Sequence, residues 1–177
     1  REWRIEQLKA FKRMIVEGRE ELCGALLIDL HKAPFEGFAT ELGLVLSEID
    51  TALAHLDEWM APSYTANSAL NIPCWSSTQA DPLGVVLILG AWNYPMQLSL
   101  SPLIAAVAAG NTVVLKPSEM APACEQLLAK MIAEAFAPEH VAVVTGDGHV
   151  ANDLTDREFD FVFFTGSTHV GKIVAAK

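Results

Sequence analysis

Gly166-Ser167-Thr168-His169-Val170-Gly171 is the stretch whose residue types best suit an anion. Gly166 permits a tight turn, and Ser167 or Thr168 can cap a following helix whose free N–H groups then face a phosphate. Taken alone, the same residues also describe an ordinary helix start built of small side chains. A P-loop is excluded, because that pattern needs Gly-Lys-Ser/Thr at the second glycine and here Lys172 is followed by Ile173. Three more polar or glycine-rich turns share the property of following an apolar run. They are Gly90-Ala91-Trp92-Asn93-Tyr94-Pro95, Lys116-Pro117-Ser118-Glu119 and Thr145-Gly146-Asp147-Gly148. The first lacks the Gly-x-Gly-x-x-Gly of an ordinary dinucleotide-binding turn.

The elements behind these turns are legible. Val85 to Leu89, Thr112 to Leu115, Val141 to Val144 and Phe159 to Phe164 are continuous apolar runs rich in β-branched or aromatic residues. Helical stretches are expected between them, at about Gln97 to Ala109, Ala121 to Phe136 and His149 to Leu154, with a last helix after Thr168. Continuous apolar strands alternating with helices predict an α/β fold with a doubly wound parallel sheet, covered on both faces. Right-handed crossovers place all four strand C-termini at one edge, where such sheets bind ligands. Residues 1–60 are expected to form N-terminal helices. Their apolar stripes are Trp3, Ile5, Leu8, Phe11 and Ile15, then Leu22 to Leu30, then Phe38, Leu42, Val45, Leu46, Ile49, Leu53, Leu56 and Trp59 in one helix from about Phe35 to Met60. Residues 61–82 lose this periodicity and read as an excursion with a short strand near Trp75 to Gln79. Residues 83–177 carry the four strands.

Composition narrows the function classes. A net charge of −10 argues against a nucleic-acid partner. No apolar run is long enough to cross a bilayer, so membrane contact is expected only through a tail outside this chain. Three cysteines at wide spacing suggest neither a disulfide framework nor a zinc site, and fit a reducing, cytoplasmic compartment. Cys23 lies on an apolar stripe and Cys124 in a helix, so both are expected in the core, whereas Cys74 sits in the excursion. None has the neighbours of a nucleophile. The five histidines show no metal spacing and read as surface or capping residues; no metal is expected.

In order and spacing, three segments resemble the aldehyde dehydrogenase superfamily. They are Trp92-Asn93-Tyr94-Pro95, Ala109-Gly110-Asn111-Thr112-Val113-Val114-Leu115-Lys116-Pro117-Ser118-Glu119 and Phe164-Thr165-Gly166-Ser167-Thr168. Leu30-His31-Lys32 and Pro82-Leu83-Gly84-Val85-Val86 are similar to the class 3, fatty-aldehyde branch. The resemblance covers nearly the whole chain and implies a Rossmann-like fold that binds NAD, with NADP as a second cofactor, at the fourth strand's turn. Asn93 would be the catalytic oxyanion-hole side chain. Lys116 and Glu119 would hold the adenosine ribose hydroxyls, Glu119 disfavouring a 2′-phosphate. Gly166, Ser167 and Gly171 would surround the pyrophosphate, Trp92 and Phe164 would line the cleft, and Gly148 would approach the adenine.

The family's cysteine nucleophile lies in a Gly-Gln-x-Cys context and its glutamate base in Glu-Leu-Gly-Gly; neither occurs in this sequence. The chain is therefore expected to be the incomplete NAD(P)-binding part of an enzyme that oxidises aliphatic or aromatic aldehydes, inactive by itself. A truncated, non-catalytic nucleotide-binding or dimerisation module is the alternative, and an acylating or semialdehyde-specific branch is a third reading. Residues 61–82 match the region that contributes to oligomerisation in this family, which implies a homodimer. Unpaired, that edge would make the isolated chain associate.

Overall fold

The computed structural model describes residues 1–177, the side chain of Asn71 apart. Its first third is helical: α1 (Glu2–Glu17), α2 (Arg19–Leu30), α3 (Pro34–Gly37) and α4 (Gly43–Met60). Leu8, Phe11, Ile15, Leu22, Leu26, Val45, Ile49 and Leu56 recur at helical spacing and are buried together. The single long helix expected from Phe35 to Met60 is instead interrupted. A π-helical turn, Phe38–Leu42, separates α3 from α4. The extra residue rotates the stripe, so that the acidic Glu41 becomes fully buried beside Leu42, while Trp59 at the far end stays 49% exposed.

A short antiparallel pair follows, β1 (Ser63–Thr65) with β2 (Ser76–Thr78), exposed throughout. The main sheet is parallel: β3 (Val85–Leu89), β4 (Thr112–Lys116), β5 (Val141–Val143) and β6 (Phe161–Phe164). Their spatial order is β5-β4-β3-β6. Val86, Leu87, Ile88 and Leu89 are all buried although successive side chains point to opposite faces, so both faces of β3 are covered. The helices α5 (Gln97–Ala109) and α6 (Pro122–Ala135) pack with α1, α2 and α4 on one face. The helices α7 (Gly148–Thr155) and α8 (Thr168–Ala175) border the other, near Leu89 and Phe164.

Two of these helices are fixed by distant polar groups. Asp29 of α2 accepts from the N–H groups of Ala123 and Cys124 at 3.1 and 2.8 Å, and so caps α6 from another helix. The Ser118 hydroxyl accepts from the Met120 N–H and lies before the helix. At the end of α5, Gly110 takes a left-handed φ of 91°, and its N–H returns to Val107. There the Arg4 guanidinium lies against Gly110 and donates to the Ala108 carbonyl, meeting the negative end of the helix dipole.

His140 departs from the surface role expected of the histidines. It is buried between Trp3, whose ring centroid is 4.4 Å away, and Phe136 at 5.8 Å, and neither ring nitrogen has a hydrogen-bond partner among the described residues. Local sequence cannot show this, because Trp3 arrives from the other end of the chain. Burial holds the imidazole below its ordinary value of 6.5. The unfolded chain therefore takes the proton first as pH falls, and stability is complete above about pH 6.5 and declines below it as the folded pKa is approached. Thermal melts from pH 8 to pH 5 should show this decline in the unaltered protein, and a flatter profile in His140→Phe. Parallel profiles would refute the assignment.

Candidate functional site

All four strand-end turns meet at the C-terminal edge of the sheet, around β3. This strand has β4 on one side and β6 on the other, with the chain leaving in opposite directions, so the loops part there. The result is a cleft of about 800 Å³. Leu89 and Phe164 line it from the sheet, with Gly90–Asn93 on one rim, Lys116 and Ser118–Met120 on another, and one face each of α7 and α8 opposite. Of the residues singled out from sequence, Trp92, Asn93, Lys116, Glu119, Gly148, Phe164, Gly166 and Ser167 line this one cleft. Gly171 sits at the end of the first turn of α8, behind Phe164; a Cβ there would lie 3.4 Å from the ring.

Each rim is tied down by polar contacts. The Gly90 N–H donates to the Lys116 carbonyl at 2.9 Å, joining the first two turns. Lys116 is itself buried, 3% exposed, and its ammonium donates to the Pro117 carbonyl at 2.9 Å and to Glu119 Oε2 at 3.0 Å. Partial burial would raise the Glu119 carboxyl, but its own backbone N–H and the Lys116 ammonium outweigh this and hold it below the ordinary carboxylate range. An ionised acceptor and an ammonium with one uncommitted proton thus stand side by side, a pairing suited to a vicinal diol.

On the third turn, buried Glu125 of α6 accepts from the Gly146 N–H at 2.9 Å, and Asp147 caps α7 through the N–H groups of His149 and Val150. On the fourth, Ser167 Oγ accepts from the Val170 N–H and caps α8. The cleft has glycines on both sides. A Cβ on Gly148 would meet nothing within 4 Å, whereas one on Gly166 would fall 2.5 Å from Cζ of Phe164. Gly148 is therefore not required by packing within the chain. Asn93 is exposed, and its side chain makes no hydrogen bond among the described residues, so its amide is open to the cleft.

The cysteines contribute nothing to this site. Cys23 is buried and donates to the Pro34 carbonyl; Cys124 is fully buried, with its thiol pushed far up by burial and by Asp29; Cys74 is exposed and does not line the cleft. Sequence reading gave no site role to Glu41, Asp29 or Glu125, nor to Lys32, which figured only in the Leu30-His31-Lys32 resemblance. These residues orient the rims from beneath, and their backbone partners carry no sequence signature. Glu41 stands three residues after Phe38 and four before Val45, inside the apolar pattern, but Glu48 shares that phase and is exposed, so the signal is weak.

Comparison with known proteins gives a consistent answer. The aldehyde dehydrogenase family model matches residues 1–177. A 4,4'-diapolycopene-4,4'-dial dehydrogenase from Cytobacillus firmus is 47% identical over 174 residues, 98% of this chain and 38% of that protein. Aldehyde dehydrogenase family 3 member H1 from Arabidopsis thaliana is 40% identical over 99% of this chain and 36% of its own length. Among solved structures, the substrate-bound state of Staphylococcus aureus AldH superposes with a TM-score of 0.97 at 38% identity, covering 99% of this chain and 38% of that one. The NAD+ complex of an aldehyde dehydrogenase from Bacillus cereus has a TM-score of 0.84 at 27% identity, over 98% of this chain and 35% of that one. The chain thus spans little more than a third of the length of the relatives it matches. With the family model covering every residue and the four-turn cleft in place, the chain belongs to the aldehyde dehydrogenase family.

Proposed function

We propose that these residues form the nicotinamide-dinucleotide site and oxyanion-stabilising side of an enzyme that oxidises an aldehyde to its carboxylic acid. The observation that carries this reading is the convergence of Asn93, Lys116, Glu119, Gly148, Gly166 and Ser167, drawn from four separate turns, on one cleft. The donor set fits a dinucleotide. Lys116 and Glu119 suit the adenosine ribose hydroxyls. Gly166 and the Ser167-capped start of α8 suit the pyrophosphate, Gly148 leaves room for the adenine, and Trp92 and Phe164 give apolar walls. Gly171 acts from behind, by keeping the first turn of α8 close to Phe164. When bound, the nicotinamide takes up the two electrons that the aldehyde loses.

Before that transfer, the amide N–H of Asn93 stabilises the negative charge on the aldehyde oxygen as a thiolate attacks. That thiolate and the glutamate base come from the Gly-Gln-x-Cys and Glu-Leu-Gly-Gly contexts of the family, neither of which lies in residues 1–177. The substrate is an aliphatic or aromatic aldehyde; the name of the Cytobacillus relative points the same way, to a large apolar dialdehyde. Glu119 favours NAD over NADP, because its carboxylate repels a 2′-phosphate. Residues 1–60 pack as helices on the cofactor domain at 83–177, and residues 61–82 serve a homodimer contact. Among the described residues no helix is long and apolar enough to cross a membrane. A cytoplasmic location accords with the free thiols.

Calorimetric titration of NAD into the chain tests the site directly. Saturable binding is expected, weaker for NADP, and weakened roughly tenfold by Lys116→Ala, a loss of about 1.4 kcal/mol. No binding of either nucleotide would count against the cleft. A second variant separates ligand contact from folding. Because Gly148 borders open space, Gly148→Val should leave the melting temperature unchanged while weakening NAD binding about tenfold; a stability loss with normal binding would overturn its placement at the nucleotide.

A further inference from the structure

A buried ion pair lies beneath the Asn93 turn. Lys32 follows the end of α2, and its ammonium makes three contacts: Glu41 Oε1 at 2.6 Å, the Asn93 carbonyl at 2.9 Å, and the Tyr94 ring, 3.8 Å from its centroid. Glu41 lies in the π-helical turn, wholly buried, and its second oxygen accepts from the N–H groups of Met96 at 2.9 Å and Gln97 at 3.2 Å. Those are the first amides of α5. One ion pair therefore grips both ends of the turn that carries Asn93, the carbonyl end through the cation and the amide end through the anion.

The grip acts on orientation. Fixing the Asn93 carbonyl fixes the peptide plane between Asn93 and Tyr94, and hence the backbone from which the Asn93 side chain projects. The side chain itself has no partner among the described residues, so its direction depends on that backbone and on little else. Holding a carboxylate out of water inside a helix is costly. Here it is placed by a π turn, a feature that recurs at functional sites.

We infer that Lys32 and Glu41 are positioning residues, whose ion pair aims the Asn93 amide at the developing oxyanion. The inference rests on the proposed aldehyde oxidation, in which Asn93 supplies that amide. Lys32 and Glu41 touch neither the cleft nor a ligand in it. Their removal should slow the chemical step without weakening the nucleotide.

The test is a double-mutant cycle on the protein with its complete native sequence. Lys32→Met combined with Glu41→Gln removes both charges and leaves a glutamine oxygen for the Met96 and Gln97 amides. This pair should lower kcat about 10- to 100-fold, as misplacement by about 1 Å does, with the NAD dissociation constant unchanged within about twofold. Asn93→Ala should lower kcat about 100- to 1,000-fold. Adding the two charge-removing changes to Asn93→Ala should then cost nothing more, because their effect passes through Asn93. If the pair does not fold, Glu41→Gln alone carries the same cycle. Losses that multiply, or an unaltered kcat in the Lys32→Met, Glu41→Gln protein, would overturn the inference while leaving the proposed function standing. An unaltered protein that oxidises no aldehyde would overturn both.

Discussion

Parallel strands cannot be joined by a tight turn. Every connection in this sheet must leave the C-terminal edge, cross a face and return to the opposite edge. With the order β5-β4-β3-β6, the chain winds outward from β3 through β4 to β5, then crosses back past β3 to reach β6. The loops after β3 and β6 are driven apart by that reversal, and the cleft is the space between them. Its location follows from topology before any side chain is considered. The side chains then decide what it holds: Leu89 and Phe164 keep its sheet side apolar, while the polar groups stand at the rim.

The rim would be loose if it depended on its own residues. Instead, three carboxylates reach into it or into the helices beneath from elsewhere in the chain, and all three accept from backbone N–H groups. Glu41 holds the start of α5, Asp29 the start of α6, and Glu125 the Gly146 turn. A hydrogen bond to a charged group contributes about 1.5–3 kcal/mol, roughly twice that of a neutral one. Placed at helix starts, Glu41 and Asp29 also meet the positive end of the dipole. Part of the chain's large acidic excess is therefore internal scaffolding and not a solvated surface.

The distinction between local and distant partners explains what could be read from the sequence. Strand and helix positions were legible because they rest on local periodicity: the span Gln97–Ala109 and the strand Val85–Leu89 stand where the pattern puts them. The turn residues were legible too, since a glycine or a capping serine acts within its own turn, as Ser167 does for α8. The π turn at Phe38–Leu42 was not, because one extra residue leaves the apolar stripe readable on both sides and shifts only its phase. His140 was misread for a different reason. It follows Pro138-Glu139 in the turn before β5, a place that reads as surface, but Trp3 closes over it from the opposite end of the chain.

Glu41 and Asp29 mark the limit of such reading. Their distant partners lie 55 to 56 and 94 to 95 residues away and are backbone amides, which every residue but proline possesses. No residue type at the receiving end announces the bond. What the sequence does contain is a weak anomaly at the sending end, an acidic residue where the stripe calls for an apolar one. A buried carboxylate without acceptor duty would be too costly to retain. An isolated acid buried on an apolar helical face is thus informative about tertiary structure even when its partner is unknown: it implies that some backbone N–H group, left free at a turn or helix start, must come to it.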